Sequence, residues 1–190
     1  FKQIYYSLND YDGIIGASRV HPSNQPDSSP VLQMTIEGRF SEAIACHEKD
    51  LSSTHDTSRQ LKILECYLNL GQFQSLLCYC DNLKGDIKSA ISLKMEALWR
   101  LGSWSDLENL IASHSQPDSI NIAEVLLSLQ KNSPERFKNT LISAYKNEAK
   151  NLAMMGSKTY LLKRCTPQLA KLHILFDIEM YSQTAFESLN

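Results

Sequence analysis

Glu37–Leu51 reads EGRFSEAIACHEKDL, Leu70–Leu77 reads LGQFQSLL and Leu101–Glu108 reads LGSWSDLE. In each stretch a glycine (Gly38, Gly71 or Gly102) is followed two residues later by Phe40, Phe73 or Trp104. Five residues after the glycine stands Ala43, Leu76 or Leu107. The glycines lie 33 and 31 residues apart, close to the tetratricopeptide period of about 34 residues. Glycine ends a helix because it takes a left-handed backbone without steric cost. The aromatic is expected to pack early in the next helix, and the small or apolar residue lets the two helices approach. Tyr67, four before Gly71, falls on the aromatic position of the repeat's first helix. The spacing predicts an all-α chain, an α-solenoid of tetratricopeptide-like hairpins, in which each unit buries its apolar face only against stacked neighbours.

Outward from these motifs the apolar residues recur at helical rather than strand spacing. Stripes run through Phe73, Leu76, Leu77, Cys80 and Leu83; Ile91, Met95, Leu98 and Trp99; and Trp104, Leu107 and Ile111. Two more run through Phe137, Leu141, Ala144, Tyr145 and Leu152, and through Leu169, Leu172, Phe176 and Met180. Each is expected to be the buried face of an amphipathic helix. Trp104 is expected in the core, with a cost of roughly 3–5 kcal/mol on truncation to alanine. Ile122, Val125, Leu126 and Leu129, followed by Phe137 onward, read as a further hairpin without the glycine. Ser133-Pro134 and Thr166-Pro167 each offer a capping hydroxyl followed by proline at a first helical position. Asp12-Gly13 reads as a turn near the end of the first helical stretch. His21–Pro30, HPSNQPDSSP, holds three of the six prolines and reads as an exposed loop. Residues 1–190 are otherwise expected to form a single helical-repeat segment.

The bulk chemistry excludes several function classes. A net charge of −2 gives no global signal for nucleic acid or membrane, and no apolar run reaches the roughly 18–20 residues of a membrane span. The N-terminal FKQIYYSLND lacks both a secretory pattern and an initiator Met, so the chain reads as part of something longer. Cys46, Cys66, Cys78, Cys80 and Cys165 are odd in number and scattered, which fits reduced thiols in an intracellular compartment. Cys78 and Cys80, with Cys46-His47, lack the usual zinc spacing. No P-loop, dinucleotide fingerprint, nucleophile elbow, zinc-protease helix or kinase signature occurs. His21, His47, His55, His114 and His173 are dispersed and form no recognisable triad. No catalytic, cofactor-binding or metal residues are therefore assigned.

Charge is uneven. Lys131, Arg136, Lys138, Lys146, Lys150, Lys158, Lys163, Arg164 and Lys171 are opposed only by Glu135 and Glu148 within that span, leaving the remainder of the chain acidic. Such a stretch contacts nucleic acid or an acidic partner, or is simply a solvated helix face. The absence of an accompanying aromatic pattern favours the solvated face.

Five segments carry a resemblance: YYSLNDYDGIIGASRV, EGRFSEAIACHEKDL, YLNLGQFQSLL, MEALWRLGSWSDLENLIA and LAKLHILFDIEMYSQ. In order and spacing they resemble the FAT domain of the phosphatidylinositol-3-kinase-related protein kinases, in particular the ATR-type DNA-damage checkpoint branch. The resemblance implies a non-catalytic helical scaffold that braces and regulates a kinase domain of the same polypeptide, in a nuclear Ser/Thr kinase acting in DNA damage and replication stress. It implies contacts with further helical repeats and an adaptor subunit, without direct nucleic acid or membrane. ATP and Mg would belong to the parent kinase and no cofactor to this segment. Such kinases act on Ser or Thr followed by Gln, which Ser115-Gln116 and Ser182-Gln183 match, Ser115 standing in a loop-like stretch as the better phosphosite candidate. The alternative is an independent tetratricopeptide adaptor, with Arg59, Lys62, Lys88 and Lys94 as the cations available to clamp a peptide.

Overall fold

The structure, a computed structural model, describes residue 5 and residues 11–20, 30–51, 56–83, 88–113, 122–154 and 161–187. Among the described residues there are ten helices and no strand. The chain divides into two compact units, Phe1–Gly102 and Ser103–Asn190.

The first unit holds α1 (Tyr11–Val20), α2 (Pro30–Ile36), α3 (Phe40–Leu51), α4 (Thr57–Asn69), α5 (Phe73–Asp81) and α6 (Lys88–Leu101). Pro30 occupies the first position of α2, where its missing N–H has no intrahelical partner to lose. Residues 21–29 of the sequence-predicted loop lie outside the described residues. From α2 onward, successive helices pack on one another, and α4 also reaches α6. Helix α4 is covered on two faces. Ile63 and Cys66 join Ala43 and Ile44 of α3 in one apolar cluster. Leu64 joins Leu76 of α5 and Ala90 and Ala97 of α6 in another. Ile63 and Leu64 are fully buried, each contributing roughly 1.5–3 kcal/mol. Helix α4 thus buries apolar surface against α3 on one side and against α5 and α6 on another.

The second unit holds α7 (Trp104–Ser113), α8 (Ile122–Gln130), α9 (Pro134–Met154) and α10 (Leu161–Glu187). Its core gathers Ile122 and Val125 from α8, Phe137, Leu141 and Ala144 from α9, and Leu175 and Ile178 from α10. Two polar ties sit beside it. The buried Ser128 hydroxyl lies 2.9 Å from Thr140 Oγ1, and Tyr145 Oη donates to Glu179 Oε2 at 2.9 Å.

Four expectations are corrected. Asp12-Gly13 is not a turn but the first turn of α1. Gly13 is needed for close approach: a Cβ there would stand 2.3 Å from Cδ1 of Tyr5. Pro167 does not open a helix but lies inside α10. The helix starts at Leu161, so Pro167 costs it one backbone hydrogen bond, and Cys165 just before the proline is buried. Of the stripe Leu169, Leu172, Phe176 and Met180 only Leu172 is partly buried, and α10 instead buries Cys165, Leu175, Ile178 and Ser182. Its apolar residues lie all round the helix, so spacing alone does not select a face. Finally, Trp104 is half-buried while Leu107 is fully buried. A long indole three residues from a fully buried leucine spans from the core to the rim.

Candidate functional site

The sequence motifs converge on backbone junctions. Gly38, Gly71 and Gly102 have φ of 76°, 70° and 71°, and Asn132 has φ of 49°. At Gly38 the N–H of Arg39 donates to Met34 O at 2.8 Å and that of Gly38 to Thr35 O at 3.2 Å. At Gly71, Gln72 N–H donates to Tyr67 O at 3.0 Å and Gly71 N–H to Leu68 O at 3.1 Å. Both are Schellman closures, which satisfy carbonyls that the helix end would otherwise leave open. Gly102 and Asn132 donate likewise to Trp99 O at 3.1 Å and Leu129 O at 3.0 Å.

The next helix then begins in the same way each time. The N–H five residues after the left-handed residue donates to the carbonyl one after it. These bonds are Ala43 to Arg39 at 3.1 Å, Leu76 to Gln72 and Leu107 to Ser103 at 3.0 Å, and Phe137 to Ser133 at 2.8 Å. The donors' side chains, Ala43, Leu76, Leu107 and Phe137, are all buried. Asn132 and Phe137 thus form a fourth junction, 30 residues after Gly102, that the glycine pattern missed. The signal was present as Asn-Ser-Pro, since asparagine is the commonest stand-in for glycine in the left-handed region.

The aromatic positions behave differently. Phe40, Phe73 and Trp104 are half-buried. Phe73 is roofed by the Arg100 guanidinium, 5.5 Å above its ring, and the same group lies 5.3 Å above Trp99. Trp99 Nε1 donates to Glu96 Oε2 at 3.1 Å. Tyr67 packs at 6.1 Å on Tyr79, and burial raises both phenol pKa values, with Glu48 adding to the shift.

Because these junctions are set by backbone conformation, glycine substitutions divide by sign. Gly71→Ala is expected to destabilise by about 1–2 kcal/mol, since the site demands a left-handed residue. Gly16→Ala, at an exposed mid-helix glycine with open space around it, is expected to stabilise by about 0.5–1 kcal/mol. Urea denaturation of the two variants checks the pair; equal shifts would contradict this assignment of the turns.

Charged groups are used structurally. Buried Arg59 pairs with Asp50 and lies 3.3 Å from Asp56, tying the end of α3 to the start of α4. Asp56 also caps α4, accepting from Ser58 N–H at 2.9 Å. Lys94 pairs with Asp81 at 2.6 Å. Of the four possible clamp cations, Arg59 and Lys94 are thus engaged within the fold. Lys62 is exposed, and the Lys88 side chain lies outside the described residues. Arg39 bonds Glu42 at 2.7 Å and Glu37 at 3.1 Å, which lowers both carboxyl pKa values. The Glu37 shift owes most to Gln33. The network is solvent-exposed and contributes little.

All five cysteines are free thiols. Burial pushes Cys66 and Cys80 up to about 11, which keeps them protonated and poorly nucleophilic at neutral pH. Among the described residues no three His, Cys, Asp or Glu side chains gather as a metal site. No helix among them is long and apolar enough to cross a membrane. Ser115 lies outside the described residues, and Ser182 is buried in α10.

No protein-family profile matches the chain, and no solved structure does. Two curated proteins are similar to it, both named serine/threonine-protein kinase ATR, from Oryza sativa subsp. indica and Oryza sativa subsp. japonica. Each is 21% identical over 196 aligned residues, covering 95% of this chain and 7% of the relative. The chain is therefore an all-helical segment, distantly similar along nearly its whole length to a small part of a much longer kinase.

Proposed function

We propose that this chain is a non-catalytic scaffold, an α-solenoid arc from the FAT domain of an ATR-like serine/threonine checkpoint kinase. It braces the kinase domain of its own polypeptide and carries regulatory signals to it, in a nuclear response to DNA damage and replication stress. The observation that supports this most directly is the similarity over 95% of the chain to the rice ATR proteins. The four left-handed junctions, at intervals of 33, 31 and 30 residues, fit a repeat array of the kind such a brace requires. The partners on this reading are the kinase domain, neighbouring repeats and an adaptor subunit. ATP and Mg are held elsewhere in the polypeptide.

A scaffold acts on a distant active site only by stabilising one conformation of the assembly more than another. The test is a kinase assay on the intact protein that carries this chain, with peptides containing Ser-Gln or Ser-Ala. Phosphorylation of the Ser-Gln peptide alone is expected. The core variant Leu64→Ala is expected to lower the rate while an isolated kinase domain retains nucleotide binding. An intact protein with no kinase activity on either peptide sinks the proposal.

A further inference from the structure

Helix α9 turns Phe137, Leu141, Ala144 and Glu148 inward. At about 100° per residue, the outward arc carries Glu135, Asn139, Ile142, Lys146, Lys150 and Ala153, with Lys138 and Ala149 on its flank, all exposed. Ile142 is 41% exposed. Lys138, Lys146 and Lys150 make no ion pair among the described residues, unlike Lys131, which pairs with Glu108, and Lys171, which lies 3.7 Å from Glu148. Of the other charged groups on α9, Arg136 lies near Glu124, and Glu135, at the helix start, is the acidic residue on this outward arc. From Lys138 to Lys150 the face runs about 18 Å. Beyond Glu135 the surface is basic, with an aliphatic centre at Ile142.

We propose that this face of α9 docks an acidic amphipathic helix of a separate, reversibly bound partner protein, with Ile142 meeting the partner's apolar stripe and the three lysines its carboxylates. A permanent neighbour within the same fold would have to desolvate three ammonium groups that have no ion pair among the described residues, and lasting interfaces are the more apolar ones. A transient partner leaves the lysines at a wet rim, where they steer encounter. Nucleic acid fits less well. The face presents an isoleucine and two alanines where phosphates would lie, and α9 offers no exposed aromatic for base stacking.

The test uses the intact protein and fluorescence anisotropy with three labelled probes: a Glu-rich helical peptide with a central leucine stripe, the same peptide with serine for leucine, and a duplex oligonucleotide. The leucine peptide is expected to bind best and to weaken steeply with salt. Lys138→Glu/Lys146→Glu/Lys150→Glu is expected to weaken it at least about tenfold, and Ile142→Ser about three- to tenfold. Melting is expected to change little, since all four positions are on the surface. The proposal is overturned if the triple variant binds the leucine peptide as wild type does, or if serine and leucine peptides bind alike. It is equally overturned if the duplex binds more tightly than either and loses that binding in the triple variant.

Discussion

Phe137→Ala is expected to cost about 3–5 kcal/mol, the largest loss from any single truncation in the second unit. Phe137 is 5% exposed and belongs to the buried cluster that draws on all three helices of its core, with Ile122 and Val125, Leu141 and Ala144, and Leu175 and Ile178. It also stands at the start of α9, where its own N–H makes the first-turn bond to Ser133. Replacement with alanine keeps that bond and removes the ring, so the effect isolates packing. The bulky neighbours are rooted on three helices and cannot collapse together into the space. Urea denaturation followed by circular dichroism measures the loss; a change below about 1 kcal/mol would falsify the core assignment.

Leu76→Ala is expected to cost about 2–5 kcal/mol by the same cavity argument in the first unit. Leu76 is fully buried among Leu64, Ala90 and Ala97. Two of those neighbours are alanines, which have no side chain to swing into the hole, so the value should fall toward the upper end. Phe73, three residues earlier, is the larger side chain but is half-buried under Arg100. Phe73→Ala is therefore expected to cost less than Leu76→Ala, an order opposite to that of side-chain volume. Denaturation midpoints of the two variants, measured side by side, decide it.

That reversal marks how far the sequence can be read. The glycines were legible because a left-handed helix stop has few chemical solutions, and the residue five later was legible because the helix brings it inward. The depth of the aromatics was not legible, since a large ring bridges core and rim and composition does not say how much of it is covered. Asn132 escaped because it performs a glycine's task with a polar side chain. The face of α10 escaped because Leu169, Ile174, Phe176 and Met180 give it apolar residues on sides it does not bury. The lysines of α9 were visible as a charge run, but only the fold separates them, without ion pairs among the described residues, from Lys131 and Lys171, which have partners.

The closure of each left-handed turn rests on main-chain hydrogen bonds. Across roughly thirty residues, the backbone dictates one left-handed position and one inward side chain. Nearly everything else answers only to size and polarity. A chain closed in this way is expected to keep its turns through many substitutions of solvent-facing side chains. Kinship with such a chain is better sought in the rhythm of its left-handed turns than in matching residues.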